Sequence, residues 1–209
     1  MKTFFTNVPL QVKGKLDRYV YAPVGNDRLG MSESTSFPIL AAVNGYVEAG
    51  EEFRIIAVCP DSEDGRRNMD ALRGETEAIC QRNNICCHSL VSVPGAKSER
   101  VSDQVAVFQR LIDYVEEDDE LFACITFGTK PQSQVLLMAL QYAYRVKRNT
   151  SICCVVYGQV DRSAGREPES WKAYIYDETA LLQLDEIVRI LAERKVPDPK
   201  AAIISILGL

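Results

Sequence analysis

Thr126-Phe127-Gly128-Thr129-Lys130-Pro131-Gln132-Ser133 is the stretch of this chain whose residue types best suit chemistry. It joins an apolar run, Leu121–Phe127, to a helical pattern over Ser133–Arg148. Gly128 lets the backbone come close to an anion. Pro131 suits the first position of a helix, because its φ is already helical and it has no N–H to leave unpaired. The residue before a proline avoids helical dihedrals, so Lys130 is expected as the N-cap. The N–H groups of Gln132 and Ser133, with the helix dipole behind them, then face a phosphate, and Lys130 adds a full charge. The alternative is an ordinary strand-to-helix turn whose lysine is only solvated.

In an open α/β sheet, ligands collect outside the carboxyl ends of the strands. That rule adds Thr6-Asn7-Val8-Pro9, at the end of a first apolar run over Lys2–Asn7. Neither a Walker motif nor G-x-G-x-x-G occurs, so P-loop hydrolysis and dinucleotide binding lose their usual support. No G-x-S-x-G elbow, paired histidines or cysteine beside a base is visible. The single histidine, His88, falls inside the strand-like run Ile85–Val93 and reads as packing or surface. The acidic run Glu116–Glu120 reads as a solvated connection, and no metal site is expected. Arg162 and Arg166, in the polar loop Gly158–Ser170, either close over an anion or stay on the surface.

The elements that would position these residues alternate. Strands are predicted at Lys2–Asn7, Phe53–Cys59, Ile85–Val93, Leu121–Phe127, Ser151–Tyr157 and Lys172–Tyr176, with a short one around Tyr19–Tyr21. Apolar residues at three- and four-residue spacing predict helices from Phe37 to Val47, over Asn68–Asn83, from Val101 to Val115 and from Leu181 to Leu191. Ser34, Thr35 and Ser36 offer caps for the first, which Gly50 is expected to end. This alternation predicts an α/β, Rossmann-like fold, a mostly parallel central sheet with helices on both faces. One domain is expected over 1–196, followed by a short apolar tail over 197–209.

Composition narrows the partners. The chain has 209 residues, a net charge of −5 and no basic tail, which argues against a groove for long nucleic acid. No apolar run approaches the roughly 20 residues needed to span a bilayer. The seven cysteines form no C-x-x-C pair, and an odd count without a visible secretory signal points to a reducing cytoplasm.

Residues Cys124-Ile125-Thr126-Phe127-Gly128-Thr129-Lys130 resemble the Asp-x-Thr-His-Gly-Phe-Arg motif of a CRISPR-associated Rossmann-fold (CARF) subfamily. The likeness continues through Val135–Arg148, rich in leucine and tyrosine, and Val155-Val156-Tyr157-Gly158. It ends on Tyr176-Asp177-Glu178-Thr179-Ala180-Leu181-Leu182, similar to that subfamily's Phe-Asp-x-Thr-x-Leu-Leu. It covers roughly residues 120–192. Three positions depart from the motif: Cys124 stands for an aspartate, Phe127 for a histidine and Lys130 for an arginine.

The resemblance implies a homodimer that binds cyclic oligoadenylate, a second messenger of type III CRISPR immunity, across its two-fold axis. Tetra- and hexa-adenylate are the expected rings. By position, Thr6, Asn7, Thr126, Gly128, Thr129 and Lys130 would line the pocket, beside the Gln132 and Ser133 amides proposed from the turn. No cofactor is implied. Members of such families usually carry an effector domain after the sensor, and the chain shows no histidine beyond the sensor-like region. Three readings follow: a sensor acting through a partner, a slow metal-independent ring nuclease, or a sensor excised from a longer effector. In the nuclease reading the ribose 2′-hydroxyl attacks its neighbouring phosphate, with Lys130 and Asn7 as candidate catalytic residues. A reading from another class is a flavodoxin-like enzyme or binding protein for a phosphorylated small metabolite.

Overall fold

The computed structural model of the protein describes residues 1–11, 16–163, 165 and 170–207. Its centre is a seven-stranded sheet in the order β2-β7-β6-β5-β1-β3-β4. The strands are β1 (Lys2–Asn7), β2 (Tyr21–Val24), β3 (Glu52–Cys59), β4 (Cys86–Pro94), β5 (Glu120–Cys124), β6 (Ser151–Asp161) and β7 (Lys172–Asp177). Every neighbouring pair is parallel except β6 with β7. From β1 the chain first forms β2 at the far edge, then returns to β3 and β4 on one side of β1, and later adds β5 and β6 on the other. The strand order therefore reverses at β1, between β3 and β5. This is the α/β, Rossmann-like arrangement expected from the alternation, and its switch point lies where β1 and β5 end.

Helices α1 (Ile39–Tyr46) and α2 (Glu63–Asn83) cover one face of the sheet, and α3 (Val101–Ile112) and α4 (Lys130–Val146) cover the other. Alternation along β1 serves both layers: Phe4 joins the α1 side and Phe5 is buried toward the opposite face. Phe4 stacks on Phe122 at 4.4 Å and meets Phe53 edge-on at 5.7 Å, fixing β1 between β3 and β5.

Several boundaries differ from the sequence reading. Helix α2 starts at Glu63 under a Ser62 cap, ahead of its first apolar residue, because its opening turn faces solvent and carries no stripe. Ser34, Thr35 and Ser36 do not cap α1; Pro38 stands at that position, while Thr35 Oγ1 accepts the Phe37 N–H at 3.0 Å. Helix α1 ends at Tyr46, and Gly50, at φ +85°, serves the turn into β3. The short strand is Tyr21–Val24, and Tyr19 instead bridges Thr35. Strand β6 runs on to Asp161 because β7 pairs with it antiparallel, which turns the first four residues of the predicted loop into a hairpin arm.

The chain divides into two compact units, Met1–Asp177 and Glu178–Leu209. The sequence reading drew its line at 196/197 instead. The second unit is helical: α5 (Thr179–Glu193) and α6 (Pro199–Leu207) pack on each other, so the apolar tail is a helix from Pro199 to Leu207. Asp198 Oδ1 accepts the Ala201 N–H at 3.0 Å at the start of α6. Gly208 and Leu209, the end of that predicted tail, lie outside the described residues. Among the described residues no helix is long and apolar enough to cross a membrane.

Candidate functional site

A cleft of about 490 Å³ opens at the switch point. The loop leaving β5 supplies Thr126, Phe127, Gly128 and Thr129 to its wall, and α4 supplies Gln132. The loop leaving β1 supplies Val8 to Gln11. Opposite them stand Leu16, Asp17, Tyr19 and Tyr21, with Gly158, Val160 and Arg162 from β6 and the loop after it. The wall is largely apolar and aromatic. Asp17 and Arg162 are its only formal charges among the described residues.

The entry into α4 differs from the expectation in a way that changes its chemistry. Thr129, not Lys130, is the N-cap, and Lys130 and Pro131 are the first two helical residues. Thr129 and Gln132 form a capping box. The Thr129 N–H donates to Gln132 Oε1 at 2.9 Å, and the Gln132 N–H reaches Thr129 Oγ1 at 3.5 Å. The Ser133 N–H donates to the Thr129 carbonyl at 3.0 Å, as in any first helical turn. The amides of Gln132 and Ser133 are thus already used, and neither is free for a phosphate. Thr129→Ala removes the cap and is expected to cost about 1 kcal/mol. Thermal unfolding checks this, and a drop of ~2–4 °C is expected for a chain of this size.

Of the predicted residues, Thr126, Gly128, Thr129 and Gln132 share the cleft wall. Thr6, Asn7, Lys130 and Ser133 do not. Thr6 is buried, its hydroxyl turned onto the Asn7 carbonyl at 3.3 Å, because its place in β1 faces the α1 layer. Lys130 is exposed, as a first-turn side chain outside the cap has no reason to turn inward. Thr126 holds the end of β5 to β6, its hydroxyl accepting the Gly158 N–H at 2.7 Å.

Asn7 lies under the cleft floor. It is 2% exposed, and neither its Nδ2 nor its Oδ1 has a hydrogen-bond partner. Above it Gly128 takes φ +92°, where a Cβ would stand 2.9 Å from Asn7 Cγ and 3.1 Å from Gln132 Oε1. Only glycine combines that backbone angle with so close an approach. A buried amide with no partner is uncommon, since each unmet group costs about 1–3 kcal/mol.

The aromatic wall was not foreseen. Tyr19 and Tyr21 arrive from a segment far from β5 in sequence, and their alternate spacing was its only trace. Burial raises both phenol pKa values, and Asp17 raises that of Tyr19 further, so both rings stay neutral O–H groups at ordinary pH. Arg162 lies over the Trp171 ring at 4.6 Å. Arg166, its predicted companion, lies outside the described residues. Among the described residues no group of three His, Cys, Asp or Glu side chains is placed to hold a metal ion.

Comparison with known protein families finds none that matches the chain, and comparison with curated proteins finds no match.

Proposed function

We propose that the protein is a sensor of cyclic oligoadenylate, working in the cytoplasm as a homodimer that shares one ring between two clefts. The observation that supports this best is the balance of the cleft wall among the described residues: neutral aromatic surface, one arginine, one aspartate and a helix terminus closed by its own cap. Such a wall suits the base and ribose of a singly charged phosphodiester. It suits a doubly charged phosphate monoester poorly, which weighs against the phosphorylated-metabolite reading. A cavity of about 490 Å³ is the size of a drug-like ligand site and takes only part of such a ring, so a second copy supplies the remainder. In the bound state the Gly128 turn lifts and the Asn7 amide gains the partner it lacks.

The proposal is binding without turnover. The candidate catalytic residues Lys130 and Asn7 stand off the wall and both phenols are held neutral, which leaves Asp17, its Oδ2 already accepting the Tyr19 hydroxyl at 3.4 Å, as the one carboxylate of the wall among the described residues. Isothermal titration with cyclic tetra- and hexa-adenylate is expected to show one ring per two chains, and ring incubated in EDTA should be recovered intact. No heat with either ring at micromolar protein, together with thermal stabilisation of a monomer by sugar phosphates, would turn the assignment to the metabolite reading.

A further inference from the structure

We infer that Glu99 sets the charge this cleft accepts, favouring singly charged phosphodiesters over doubly charged phosphate monoesters. The inference rests on the reading that the cleft takes a nucleotide. Glu99 lies in the loop between β4 and α3, and its Oε2 accepts from two sides: Thr129 Oγ1 at 3.2 Å and Gln104 Nε2 at 3.3 Å. Thr129 is both the cap of α4 and a residue of the cleft wall. The carboxylate is therefore one hydrogen bond from the ligand space, where the dipole of α4 would otherwise welcome an incoming anion.

The loop is built to hold it there. Gln104 is buried and anchors its Nε2 on the Ser98 carbonyl at 3.3 Å as well. Ser98 Oγ donates to Asp103 at 2.6 Å and accepts the Arg100 N–H at 3.2 Å. Both hydrogen bonds of the Gln104 amide leave from Nε2, one to the Ser98 carbonyl and one to Glu99, and they turn its nitrogen toward the acid. The acid is thus a resident anion at the helix terminus. A phosphate arriving beside Thr129 meets a repulsion that grows with its own charge.

The test compares wild-type protein with Glu99→Gln, which keeps the side-chain shape and an oxygen acceptor but removes the charge. The probes are AMP and 3′,5′-cyclic AMP at pH 8 and one fixed salt concentration. They share a base and a ribose. The phosphate of AMP carries two charges there, its second pKa being about 6, while the cyclic diester carries one. Because Glu99 is solvent-exposed, the gain per ligand charge is modest: about tenfold tighter binding for AMP and about threefold for the cyclic diester. Equal gains, no gain, or no binding of either nucleotide to either protein at millimolar concentration would overturn the inference. Cyclic tetra-adenylate is titrated in parallel. Its failure to bind wild type and variant alike would sink the sensor reading, whereas the AMP-to-diester ratio still decides the role of Glu99.

Discussion

Asn7→Leu is expected to yield a more stable protein that, if the cleft is the proposed sensor site, no longer holds cyclic tetra-adenylate. Leucine has the same branching and the same number of side-chain heavy atoms as asparagine, but no polar groups to leave unmet. Both polar atoms of Asn7 are buried without partners, so the exchange removes two unsatisfied groups and buries two methyls instead. Replacing unpaired polar groups by apolar ones of similar shape is stabilising, here by about 1–2 kcal/mol. For a chain of this length the melting temperature rises by roughly 2–8 °C. The ligand, in contrast, loses an amide that offers both a donor and an acceptor in a water-excluded place, and its affinity falls at least about thirtyfold. Thermal unfolding and titration with cyclic tetra-adenylate measure the two halves separately. A melting temperature that falls with affinity unchanged would make Asn7 a structural residue. A gain in stability with lost binding is the pattern of a side chain kept for function at a cost to the fold.

The centre of the sheet was legible because β3 and β5 are buried on both faces and read as largely apolar runs; Phe53–Cys59 and Glu52–Cys59 differ by one residue. Polar opening turns carry no such stripe, which is why the start of α2 was missed. At the site, two local rules competed over the same four residues. The proline rule placed the cap at Lys130, while Thr129-x-x-Gln132 is a capping-box pattern equally visible in the sequence. The box prevails, since it pairs two backbone N–H groups and the proline rule pairs none. Asn7 was singled out only by its position at the end of β1. Its lack of partners was not readable, because that depends on what Gly128 and Gln132 bring from more than a hundred residues away. Tyr19, Tyr21 and Glu99 escaped for the same reason: their placement beside the β5–α4 loop comes from the crossing of distant segments, not from any local period.

At the opposite end of the same strands, Asp119→Ala is expected to do the reverse of Asn7→Leu. Asp119 is 1% exposed and its Oδ2 accepts Arg54 Nη2 at 2.6 Å and the Glu116 N–H at 3.0 Å. Arg54 is buried too, its Nε donating to Thr3 Oγ1 at 2.8 Å and its Nη1 to Glu116 at 2.6 Å. Glu116 is mostly exposed, and although Arg54 holds its carboxyl below the usual range, solvent screens that pair. The alanine variant therefore leaves a guanidinium in the sheet with its one buried counter-charge gone, at a cost of about 3–5 kcal/mol. The melting temperature falls by roughly 6–20 °C. Below the transition the ring affinity stays within about twofold, since the strand rise of ~3.3 Å per residue puts the Asp119 end of β1 some 16 Å from the cleft. Sites that far apart are independent, so the double variant with Asn7→Leu should recover about 1–2 kcal/mol of the loss, additive to within ~0.5 kcal/mol. A double variant no more stable than Asp119→Ala alone would mean that Asn7 carries no unmet polar cost, and that its amide belongs to the fold rather than to the ligand.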